Sequence, residues 1–181
     1  MDVSELKGDL DELYRSRSSY WVEGPNPGVQ GIAKIRMQLP DDPENPSATK
    51  PQRCSTHLGF EYYNHLTLTN LGCTCIPKLL DCALLTQKEG DPLPGGFFFF
   101  LVMERLPGCN LVNFGDLPMS ERDQVRWACA KSIRDFYAFR YMHDDPDRGN
   151  LMCYIIDLED AYQINDDQEP TKFMPTLHYR E

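Results

Sequence analysis

Seven apolar residues in a row, Phe97-Phe98-Phe99-Phe100-Leu101-Val102-Met103, follow the breaker Pro94-Gly95-Gly96. This run limits what the chain can fold into more than any other segment. It is far too short to cross a bilayer, which takes about 20 residues, and it reads as a buried strand. Ile76-Pro77-Lys78-Leu79-Leu80 begins a companion strand, with residues 84–96 as a polar hairpin connection between the two.

The flanking segments fill in an α+β order. Trp21-Val22-Glu23 reads as a strand, Gly24-Pro25-Asn26-Pro27-Gly28 as a turn, and Ile32 to Met37 as a second short strand. Residues 39–53 hold four prolines and read as a mobile loop. Thr56 to Leu71 has helical spacing, with Leu58, Tyr62 and Leu66 on one face. A longer helix starts near Ser120, whose hydroxyl is placed as an N-cap with Asp123 three residues on. It runs to about Phe139, with Val125, Ala128, Cys129, Ile133, Phe136 and Tyr137 as its apolar stripe. Residues 4–14 read as a short helix, and no period repeats.

With 181 residues, 41% of them hydrophobic and 25% charged, the chain suffices for one or two small domains with a core. A net charge of −10 argues against a nucleic-acid partner, which needs a positive face. No stretch reaches the length of a membrane span. The N-terminus is polar and acidic with no secretory signal, so the seven cysteines are expected to be reduced thiols of a cytoplasmic protein. Cys73-Thr74-Cys75 has no second ligand pair at zinc spacing and reads as two thiols.

The chemistry-bearing pattern lies late in the chain. His143-Asp144-Asp145-Pro146-Asp147-Arg148-Gly149-Asn150 spells H-x-D-x-x-x-x-N, and Tyr154-Ile155-Ile156 then leads into Asp157. The acids at 144, 145 and 147 lack the glycine and terminal glutamate of a calcium-binding EF-hand loop. Taken singly, Asp145 reads as a turn acid and Asp157 as a strand-terminating one.

Taken together, these residues resemble the catalytic loop and metal-binding strand of the protein-kinase-like superfamily. Phe97 to Gly108, an apolar strand running into Met-Glu-x-Leu-Pro-Gly, is similar to the hinge of aminoglycoside/choline-phosphotransferase-like kinases, the kinase-like proteins of fungi in particular. So is Ile155 to Ala161, and Gly31-Ile32-Ala33-Lys34 resembles the strand with the phosphate-binding lysine. The resemblance runs from about Gly31 to Tyr162. It implies a protein-kinase-like fold, with a small antiparallel-sheet N-lobe over 1–105 and a shortened helical C-lobe over 106–181.

The same resemblance implies roles. Asp145 would be the base that accepts a hydroxyl proton, while Asn150 and Asp157 would hold Mg²⁺ against the phosphates of ATP. Lys34 would neutralise the α- and β-phosphates, with Glu61 on the following helix holding it. Glu104 and Leu106 would frame the hinge where the base binds. His143 is expected to bond the loop and not to catalyse. The implied activity is ATP- and Mg²⁺-dependent phosphate transfer to a small-molecule or protein acceptor.

Three departures favour a second reading as a pseudokinase or interaction module without turnover. No glycine-rich phosphate loop precedes Lys34, and two prolines among Gly24, Gly28 and Gly31 remove amide donors. Six residues separate Asn150 from Asp157, a gap of at most about 24 Å that is too short for the family's β-hairpin. Only 24 residues follow Asp157, so the helices that bind an acceptor are expected to be missing. A shortened lobe would leave apolar surface for a protein partner or a second copy to cover.

Overall fold

The structure, a computed structural model, describes residues 20–23, 30–107, 113–143, 154–165 and 167, with side chains from Gly31 onward. The architecture is α+β. The described residues fall into two compact units, one drawn from Met1–Thr56 and Leu79–Arg105, the other from His57–Lys78 and Leu106–Glu181. One division falls at Arg105/Leu106, and residues 57–78 group with the second unit.

The first unit is an antiparallel sheet of β1 (Tyr20–Glu23), β2 (Gln30–Met37), β3 (Leu79–Thr86) and β4 (Phe97–Glu104), in the order β1-β2-β4-β3. The apolar run is β4, an inner strand. Its residues Phe97, Phe99, Phe100 and Leu101 are all buried, so both faces of the strand are covered. Lys34 on β2 lies across from Leu101, and Gly31 across from Glu104.

The companion strand is displaced from its expected place. It begins at Leu79 instead of Ile76 and continues to Thr86, through Leu84 and Leu85 that were assigned to a connection. Pro77 has no amide for a ladder, and Ile76 belongs to the core of the other unit. Leu84 and Leu85 are exposed on this sheet edge.

Two glutamines replace secondary structure around the ends of β2 and β4. Gln87 is buried, and its Nε2 donates to the carbonyls of Gln38 (2.7 Å) and Phe97 (3.0 Å). Its Oε1 accepts from the amide of Leu93 at 3.0 Å. The packing is tight, since a Cβ on Gly96 would sit 3.0 Å from Gln87 Nε2, Gln38 Oε1 and the Leu93 carbonyl. Gln38 accepts from the Gln52 amide (2.7 Å) and donates to the Lys50 carbonyl (3.0 Å). Thr49 Oγ1 accepts from the Asp41 amide at 2.8 Å. The proline-rich loop expected to be mobile is therefore tied to the strand end and to itself.

The second unit contains α1 (Thr56–Asn70), α2 (Met119–Ala138) and a short antiparallel pair, β5 (Tyr141–His143) and β6 (Ala161–Gln163). Leu68, Cys73, Cys75, Ile76, Phe136, Tyr141, Ile155, Leu158 and Ala161 form its core. On α2, Cys129, Ile133 and Phe136 of the expected stripe are buried at helical spacing, joined by Ser132, while Val125, Ala128 and Tyr137 are half-buried. The expected cap is not used: Ser120 is inside the helix, and the Pro118 carbonyl accepts the amides of Glu121 and Arg122 at 3.0 Å each. Proline there fixes the chain direction just before the first turn. Among the described residues no helix is long and apolar enough to cross a membrane.

Gln87→Ala should cost about 1–3 kcal/mol, because it removes two bonds to backbone carbonyls and the acceptor of the Leu93 amide, while the Phe97 carbonyl keeps the Gln38 amide at 3.1 Å. Urea unfolding should show a lower midpoint at unchanged slope. Leu84→Thr, on the exposed edge, should stay within about 0.5 kcal/mol of the parent.

Candidate metal centre

Asp157 sits in a segment pinned on each side. The amide of Ile155 donates to the Cys75 carbonyl at 2.7 Å. Asn64 on α1 donates through Nδ2 to the carbonyls of Leu158 (2.9 Å) and Ala161 (2.6 Å), which uses both its amide hydrogens. The side chains of Ile155 and Leu158 are sunk in the core. Between these anchors Asp157 takes the left-handed conformation, φ 62° and ψ 54°. That region costs an L residue energy and persists where its surroundings over-determine it, and aspartate is among the side chains that tolerate it. His143 adds a further restraint. Its Nε2 lies 3.1 Å from the Asp157 carbonyl, and since a carbonyl only accepts, Nε2 carries the donating hydrogen. The histidine thus holds the Asp157 segment; the loop at 144–150 that it was expected to bond lies outside the described residues.

The consequence is a convergence of acids. Carboxylate oxygens of Glu61, Asp157 and Glu159 all lie within 4.8 Å of one another. Glu61 is 1% exposed, whereas Asp157 and Glu159 are half-buried. Two unit charges at that spacing repel by about 3.5 kcal/mol at an effective dielectric of about 20, and by less where water reaches them. Three hard oxygen donors from separate residues are a donor set that suits Mg²⁺ or Ca²⁺ and not a thiophilic ion. A divalent cation among them would offset the repulsion.

Helix α1 supplies this site from a face the sequence did not reveal. Its buried residues are Leu58, Glu61, Asn64, His65 and Leu68, at spacings of three and four. Tyr62 and Leu66, expected on the core face with Leu58, are only half-buried. The apolar pattern picks the wrong stripe because this helix packs against backbone carbonyls and carboxylates, which want polar partners. Phe60 and Tyr63 stay exposed as a result.

The expected site residues distribute as follows. Glu61 and Asp157 come together in the second unit. Lys34 is half-buried on β2 in the first unit, Glu104 is half-buried at the end of β4, and Leu106 is half-buried two residues on. Asp145 and Asn150 lie outside the described residues. Sequence reasoning missed Glu159 and Asn64. Their signals are present, one acid two residues after Asp157 and one amide a helical turn after Glu61, but both are too common to single out.

No protein-family model matches this chain, and no curated protein matches it. Solved structures similar to it include the Cydia pomonella granulovirus kinase PK-1, at 15% identity and a TM-score of 0.43 over 90% of this chain and 56% of that one. Another is WbdD, solved with the kinase inhibitor LY294002, at 16% identity and a TM-score of 0.48 over 79% of this chain and 33% of that one. The chain thus spans about half the length of the first and a third of the second. No residue role follows from likenesses this distant.

Asn64→Ala should release the 158–161 segment. The expected cost is about 1–3 kcal/mol for two buried bonds lost, with the Leu158 carbonyl keeping the Ala161 amide. Hydrogen exchange should quicken at Leu158 to Ala161, while the β2–β4 ladder keeps its protection.

Proposed function

We propose that this chain is an ATP- and Mg²⁺-dependent phosphotransferase-like protein of the kinase-like class, acting on a small-molecule or protein hydroxyl. The observation that supports this reading best is the meeting of Asp157 with Glu61 and Glu159 just after an H-x-D-x-x-x-x-N motif. A magnesium ion at such carboxylates would neutralise charge on the β- and γ-phosphates. Asp157 and Glu159 would present oxygens from a loop that Asn64 and His143 hold in one geometry. Preorganisation of this kind removes the cost of gathering like charges at the moment of binding. Asn150 would add a side-chain oxygen, and Asp145 would accept the acceptor's proton. Lys34 would pair with the α- and β-phosphates, and Glu104 and Leu106 would border the base.

A second reading, a pseudokinase that binds nucleotide or a partner without turnover, is favoured by one register. β1 pairs directly with β2, the strand that carries Lys34, with Glu23 across from Gln30. No further strand stands between β1 and the lysine strand, and prolines 25 and 27 offer no amides to a phosphate.

The readings separate by titration with MgATP. A nucleotide site of either kind should raise the unfolding free energy by about 2.7 kcal/mol at a hundredfold excess over Kd. Asp157→Asn should weaken the Mg²⁺-dependent part about tenfold or more. Asp145→Ala should keep binding and abolish phosphate transfer if the chain is an active enzyme. Stabilisation without transfer to any acceptor supports the second reading, and no stabilisation by any nucleotide, with or without metal, contradicts the first and leaves an interaction module that binds no nucleotide.

A further inference from the structure

The pair Cys73 and Cys75 plays no part in the proposed phosphate chemistry, yet its geometry is specific. Helix α1 ends in a Schellman motif: Cys73 N donates to Leu68 O at 2.9 Å and Gly72 N to Thr69 O at 3.0 Å, with Gly72 at φ +75°. The chain then bends over 74–76. Both cysteines turn inward, at 0% and 4% exposure, while Thr74 stays outside. Their sulfurs lie 3.2 Å apart.

Both thiols belong to the core of the second unit. Among the described residues no histidine, acid or further cysteine joins the two sulfurs as a third ligand. Two thiols that close share one proton readily. The Cys75 S–H, donating to the Cys73 sulfur, holds the Cys73 thiol down to about 7, and that bond together with burial pushes Cys75 well above the ordinary range. Cys73, the thiol held down, is the one suited to attack, and Cys75, beside it, is placed to resolve.

We propose that Cys73 and Cys75 are an oxidation site that closes reversibly to a disulfide, with a small-molecule disulfide of the glutathione type as oxidant. The Cys73 thiolate attacks one sulfur of the oxidant, forming a mixed disulfide and expelling one thiolate. Cys75 passes its proton to that thiolate and attacks the Cys73 sulfur, which releases the second small thiol. Two protein thiols are oxidised and one small disulfide is reduced. The sulfurs must approach from 3.2 Å to about 2 Å. Because the pair is buried, the oxidant gains access through local opening after Gly72, at a rate that the opening limits. The Cys75 carbonyl holds the Ile155 amide, so closure also disturbs the segment that leads to Asp157. This chemistry does not depend on the metal reading.

The test uses the full chain, equilibrated with graded ratios of oxidised to reduced glutathione. It is quenched in acid, unfolded, alkylated with N-ethylmaleimide and mapped by tandem mass spectrometry. The expected product is a loss of two hydrogens confined to Cys73 and Cys75, reversed by dithiothreitol, with faster exchange at the Ile155 amide. Cys75→Ser should stop at a stable glutathione adduct on Cys73, and Cys54→Ser and Cys129→Ser should leave the product unchanged. Full alkylation of both thiols at every ratio would overturn the proposal. So would a bridge to Cys54, Cys82, Cys109, Cys129 or Cys153, or a glutathione adduct that persists on the parent chain. Parent-chain mapping decides the matter even if a variant fails to fold.

Discussion

Helix α1 buries a carboxylate, an amide and an imidazole on the face where a surface helix ordinarily buries aliphatic groups, and the second unit is organised around that choice. Desolvating Glu61 is costly unless something nearby favours it. Asp157 and Glu159 add negative potential at the same place. Asn64, one turn further along, captures the two carbonyls that set the path of the acidic segment. The same turn of helix thus supplies an acid to the cluster and the clamp that holds the other acids against it. A cation bound among the three acids would offset their repulsion.

Side-chain amides recur where the backbone has no ladder to join. Gln87 and Gln38 close the loops beside β2 and β4, and Asn64 closes the segment beside β6. Each carboxamide offers two donors on one nitrogen, so one residue can take two carbonyls that diverge from each other. In a chain with short strands and long irregular stretches, this is an economical way to satisfy buried backbone groups. It also localises rigidity. The turn at Asp157 stays left-handed because its neighbours are fixed by Asn64, His143 and Cys75.

The sheet was legible because four phenylalanines in succession permit few placements, and α2 because its apolar spacing is regular. The limits of β3 were not, since Ile76 and Pro77 look continuous with Leu79 although they serve different units. The cap of α2 was misplaced because Ser120 has the right chemistry, while Pro118 has the right backbone. The role of α1 was hidden for a deeper reason. Hydrophobic periodicity reports which face meets oil, and this helix turns its polar face inward to meet carbonyls and acids. Asp157 was visible as a site residue through its motif. Its partner Glu159 was not, because proximity across a left-handed turn leaves no mark in spacing.

The central claim is that Glu61, Asp157 and Glu159 share one cation. Crystals grown with Mn²⁺ test it most directly through anomalous scattering. The expected result is a single strong peak about 2.1–2.2 Å from oxygens of all three carboxylates. A peak that ignores Glu61, or a cluster that stays free of metal at millimolar Mn²⁺, would contradict it.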